Sequence, residues 1–80
     1  MTYNDYNIKL LEKVYWLMMN LKDVKDEKLR QQDILKAGKL MAKVGLIKET
    51  NDTHVIISFY NKHVLSQIRN IIKKTEQEAH

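Results

Sequence analysis

The sequence predicts an α+β fold: three helices, a two-stranded β-hairpin and a closing C-terminal helix. Three observations predict it. Apolar residues recur at helical spacing over residues 11–21 and again over 34–44. Gly45 stops the second run in the left-handed position that ends many helices. Residues 54–60, His-Val-Ile-Ile-Ser-Phe-Tyr, are rich in β-branched and aromatic side chains and follow the polar cluster Thr50-Asn51-Asp52-Thr53. With 80 residues, no cysteine, no proline and two glycines, the chain reads as one domain over residues 1–80. That size excludes multi-domain enzymes, and the missing cysteines exclude a disulfide framework or a thiolate metal site.

The first helix begins after Asn4 or Asp5, either of which can cap it, and runs to Asp23. Leu11, Val14, Met18 and Leu21 form its stripe. Leu10, Trp16, Leu17 and Met19 widen that stripe until residues 15–19, Tyr-Trp-Leu-Met-Met, are apolar nearly all round. A domain this small cannot cover so much apolar surface, so a partner is expected there.

Residues 26–44 are tested for continuity by placing them at about 100° each. Ile34, Ala37, Leu40, Met41 and Val44 share one apolar arc, and Lys36, Lys39 and Lys43 share the opposite one. Extending the helix backward sets Arg30 in the middle of the apolar arc. A break at residues 31–33 removes the conflict, giving a short helix over 26–31 and a second helix capped by Asp33; a continuous helix requires Arg30 to snorkel out. Beyond Gly45, an Asn51-Asp52 turn pairs Thr50 with Thr53, Glu49 with His54 and Leu46 with Ile57, and turns Val55, Ile57 and Phe59 inward. Asn61 then caps a closing helix over 62–80, with an apolar seam of Val64, Leu65, Ile68, Ile71 and Ile72 and a frayed tail over 75–80.

Function is read from charge. Fourteen Lys and Arg against ten Asp and Glu give a net charge of +4, a balance that favours an anionic partner. A helix that reads DNA buries one face and offers the other to the groove, so its apolar and basic arcs must lie about 180° apart. Residues 34–44 meet that requirement. Lys36, Lys39 and Lys43 suit phosphates, while Arg30, Gln31 and Gln32 lie at the turn and can reach bases or phosphates, with Gln32 and Arg30 the best base-reading candidates. Lys48 and Asn51 on the hairpin complete the expected DNA-binding set.

The run Asp33-Ile-Leu-Lys-Ala-Gly-Lys-Leu-Met-Ala-Lys-Val-Gly-Leu-Ile-Lys, its Gly45-Leu46-Ile47 step and the hairpin behind it resemble the winged-helix class of helix-turn-helix DNA-binding proteins. The resemblance covers the middle half of the chain and extends loosely to small repressors and replication terminators with a trailing dimerisation helix. It implies a sequence-specific homodimer on double-stranded DNA, a transcriptional regulator or a replication or partition factor of a mobile element. Trp16, Met19, Leu65, Ile68 and Ile72 are the expected dimer contacts, pairing the surplus face of the first helix with the closing one. A second function of another class is a small module that docks on a host protein. The apolar segment around Trp16 favours it, as does a hairpin tip without Lys or Arg.

Enzyme chemistry finds no foothold. His54, His63 and His80 lack ligand spacing, Ser58 and Ser66 lack a nucleophile elbow, and two glycines cannot build a phosphate loop. No catalytic residue, metal or cofactor is expected, and Asp23, Asp26 and Glu27 read as helix caps and flanks. The longest apolar run, residues 14–19, is far short of a membrane span, so the expectation is a cytoplasmic protein with no membrane partner.

Overall fold

The computed structural model describes residues 4–78, and every regular element among them is helical. Helix α1 (Asp5–Asn20) is capped by Asn4, whose side chain accepts the Asn7 N–H at 2.8 Å. It tightens into a 3₁₀ turn, Leu21–Asp23. Helix α2 (Glu27–Val44) starts at Asp26, whose carboxylate accepts the N–H groups of Lys28 and Leu29. It ends at Gly45, where φ is +88° and the Leu46 N–H reaches back to the Met41 carbonyl. Helix α3 (Thr53–Phe59) passes through a π turn (Tyr60–Val64) directly into α4 (Leu65–Glu78). α1 packs along α2, α3 crosses α2, and α4 returns onto α1. Leu11, Val14, Ile34, Ala37, Met41, Ile56, Tyr60, Val64 and Ile68 are buried where these elements meet.

The hairpin is therefore corrected: no strand exists among the described residues, and the fold is all-α rather than α+β with a wing. The polar cluster that reads as a turn is a helix cap. Thr50 Oγ1 accepts the Asp52 N–H, and the Asp52 carboxylate accepts the N–H groups of His54 and Val55. Helix formation by Val55, Ile56 and Ile57 costs up to about 0.7 kcal/mol per residue relative to alanine. The cap returns about 1 kcal/mol and burial of Ile56 about 1.5–3 kcal/mol, so tertiary packing overrides the β propensity. The β reading turned Val55 inward, whereas Val55 is exposed and Ile56 is wholly buried.

The π turn has a cause in the sequence. Ile56, Tyr60, Val64 and Ile68 recur strictly every fourth residue, and all four are buried. In a regular α-helix each step of four advances about 40°, so such a row drifts off the core within three steps. Inserting one extra residue, marked by the Leu65 N–H donating to the Tyr60 carbonyl, takes back about 100° and returns Val64 and Ile68 to the buried face. Asn61 lies inside this continuous helix and caps nothing.

The expected break at residues 31–33 is also corrected, because α2 is continuous and Asp33 is an interior residue. Arg30 sits in the apolar arc, and its guanidinium escapes sideways to donate to the Leu21 carbonyl at 3.3 Å. That carbonyl belongs to the C-terminal turn of α1, where the helix dipole is negative. Of the expected frayed tail over 75–80, residues 75–78 continue α4 as helix, and residues 79–80 lie outside the described residues.

Gly38 sets how closely α2 and α3 approach. A Cβ at that position would stand 2.5 Å from Ile56 Cδ1 and 2.9 Å from its Cγ1. Gly38→Ala should lower stability in urea denaturation by about 1–3 kcal/mol, outweighing the roughly 1 kcal/mol that alanine gains in a helix. Ile56→Val removes the Cδ1 methyl and should cost less in the Gly38→Ala background than in the parent chain. Additive losses would show that the two residues do not meet.

Candidate nucleic-acid interface

A continuous α2 lengthens the basic face. At about 100° per residue, Lys28, Gln32, Lys36, Lys39 and Lys43 fall within about 80° of arc, opposite buried Ile34 and Met41. All five are exposed. From Lys28 to Lys43 the stripe runs about 22 Å at 1.5 Å per residue. The acidic residues of α2 lie off it: Glu27 accepts from Gln31 Nε2 on another face, and Asp33 is half-buried toward the side. The four lysine side chains make no ion pair among the described residues. Lys28 joins the stripe only because the helix is unbroken, which is why the sequence reading missed it.

The remaining candidates scatter. Arg30 is half-buried and held at the Leu21 carbonyl, away from the stripe. Gln31 is spent on Glu27. Lys48 and Asn51 are exposed in the loop between Gly45 and α3, not on a hairpin. Gln32 alone of the expected base readers shares the lysine face.

Trp16 is 57% exposed and stacks edge-on against Tyr15, ring centroids 5.4 Å apart. It lines a groove of about 430 Å³ between α1 and α2 together with Lys13, Leu17, Asn20, Lys36 and Leu40. Lys36 thus belongs both to the stripe and to the Trp16 groove. Met19 is exposed too, but it lines a different groove, with Leu65. Ile68 is sealed in the chain's own core and Ile72 is half-buried, so the five expected dimer contacts do not form one patch.

Among the described residues no group of three or more His, Asp or Glu could hold a metal ion, and no helix is long and apolar enough to cross a membrane. His63 rests against Phe59 at 5.0 Å, His54 is exposed, and His80 lies outside the described residues.

Among the described residues, Tyr60 has a clearly displaced pKa. Burial, with a smaller contribution from Tyr15, pushes its phenol up from 10 to about 12, and Arg69 partly opposes the shift. Its hydroxyl has no hydrogen-bond partner. Comparison with protein-family models, with curated proteins and with solved structures finds no match for the chain.

Because the folded-state pKa lies above the unfolded one, Tyr60 favours the folded state below pH 10 and withdraws that contribution as pH rises from 10 through 12. Tyr60→Phe should be at least as stable as the parent at pH 8, since an unpartnered buried hydroxyl costs about 1–3 kcal/mol. It should also lose less stability between pH 9 and 11, measured by urea titration at each pH. An equal loss in both proteins would mean that Tyr60 ionises as it does in water.

Proposed function

We propose that the protein binds duplex DNA through the outer face of α2. The observation that carries this reading is the acid-free stripe of Lys28, Gln32, Lys36, Lys39 and Lys43, exposed along a continuous helix. The opposite face of that helix is locked into the core by Ile34, Ala37 and Met41, so the lysines are presented by a rigid element. The major groove, about 12 Å wide, admits one α-helix, and the long flexible stems of lysines along the inserted face then reach phosphates on the groove walls. Compact ammonium groups suit that role, and with Gln32 as the main base-reading side chain the affinity is dominated by phosphate contacts. The reading needs no wing, since it rests on α2 alone.

A specific observation favours a second reading, a module that docks on another protein. Trp16 stands exposed in an apolar groove between two lysines, the environment of an interface anchor.

A salt titration separates the two. Four lysines neutralising four phosphates should give log K falling with log salt at a slope of about −3.6, and Lys39→Glu with Lys43→Glu should weaken binding to every duplex while reducing the slope by about 2. Circular dichroism of the double variant should be unchanged. Trp16→Ala should leave DNA affinity within about twofold if the α2 face is the interface. Duplex affinity unaffected by the two glutamates would overturn the DNA reading, and loss of a protein partner on Trp16→Ala would establish the second.

A further inference from the structure

On the far side of Arg30 from the lysine stripe, a second groove opens where the end of α1, the start of α2 and the π turn meet. Lys22, Arg30 and Arg69 border it, its floor includes Met18, Ile57 and Leu65, and its volume is about 340 Å³. No carboxylate lines it. The π turn builds its wall. In a regular helix Leu65 and Arg69 would sit about 80° and 120° round from Ile57, whereas the extra residue at Tyr60–Val64 turns both back by about 100°, into line with Ile57 and Asn61. The same turn that keeps the core row buried therefore places a cation beside an apolar floor.

Arg30 is the partly desolvated member. Its guanidinium is half-buried and makes one hydrogen bond, to the neutral Leu21 carbonyl. Of the acids within four residues, Asp26 caps α2, Glu27 holds Gln31, and Asp33, about 60° round the helix, forms no ion pair with Arg30. A partly desolvated arginine with no acidic partner and four unused donors favours an anion, and its planar fork matches a carboxylate. The Met18, Ile57 and Leu65 side chains that line the same groove would cover an apolar body.

We propose that this groove binds a small amphipathic carboxylate, its head on Arg30 and Arg69 and its alkyl or aryl body on Met18, Ile57 and Leu65. The volume lies at the lower end of the range for small-molecule sites, about 300–1,000 Å³, which limits the ligand to medium-chain or single-ring size. This inference is independent of the DNA reading, because the lysine stripe contributes none of the groove.

The test uses decanoate as probe, with decan-1-ol as its uncharged counterpart and acetate as the bare head group, followed by methyl NMR of Met18, Ile57 and Leu65 in the full chain. Decanoate should shift these methyls saturably and bind at least tenfold more tightly than either control. Arg69→Gln, at an exposed position with no hydrogen bond to lose, should weaken decanoate about tenfold without changing the fold; Arg30→Gln should do the same in a chain whose amide spectrum remains folded. Lys39→Glu with Lys43→Glu should leave decanoate binding unchanged, which separates this site from the DNA face. No saturable shift, equal affinity for decanol, shifts centred on Trp16 instead, or indifference to Arg69→Gln would each overturn the proposal.

Discussion

The structure depends on Ile56 lying against the bare backbone of Gly38. That contact fixes the crossing of α2 and α3, and Gly38 is the residue type that lets a β-branched side chain sit where a Cβ would otherwise stand. Once Ile56 is committed, the residues at four-residue intervals after it must follow it into the core. Tyr60, Val64 and Ile68 can do so only through the π turn. A single close approach therefore determines the pitch of the closing helix, the burial of an unpartnered phenol and the side on which Arg69 emerges.

The same contact divides α2. With Ile34, Ala37, Gly38 and Met41 facing inward, the lysines have no choice but the outer surface. Arg30, one turn earlier on the buried side, is left as a cation at the edge of the core. Its hydrogen bond to Leu21 links the N-terminal part of α2 to the end of α1 and permits the helix to run unbroken. The two basic surfaces of the molecule, the stripe and the three-cation groove, thus have one origin: a helix whose apolar arc contains a charged residue that must be turned aside.

Much of this was legible in the sequence. A cap at Asn4 or Asp5, of which the structure uses Asn4, the apolar stripe of α1, the left-handed Gly45 and the opposition of apolar and lysine arcs over residues 34–44 are local patterns, and local geometry decides them. The error lay at residues 46–60, where two readings compete on equal local terms. Asn51-Asp52 serves equally as a tight turn and as the approach to a helix cap, and Val-Ile-Ile fits a strand better than a helix by propensity alone. The deciding signal was the row Ile56, Tyr60, Val64 and Ile68 with polar residues midway between its members: a strand would bury Ser58, Lys62 and Ser66 on the same face, whereas the helix turns all three outward. Its meaning also depends on Gly38, 18 residues earlier in the chain and therefore invisible to a local reading. At the candidate site, Lys36, Lys39 and Lys43 were read from periodicity, while Gln32 was singled out only as part of the supposed turn at residues 31–33. Lys28 was lost with the supposed break; Arg30 was singled out, but as a DNA contact, and the groove it shares with Arg69 was missed because the π turn that aligns Arg69 breaks the regular period on which such patterns rest.

The most direct test of this account is a nuclear Overhauser experiment on the free protein, reading contacts around Ile56. Contacts from the Ile56 δ1 methyl to the Gly38 α-protons, with unbroken sequential amide–amide contacts from Thr53 through Leu65, are the result the helical crossing requires. Cross-strand contacts joining Thr50 to Thr53, Glu49 to His54 and Leu46 to Ile57 would contradict it, restoring a hairpin and removing the basis for both the π turn and the groove beside it.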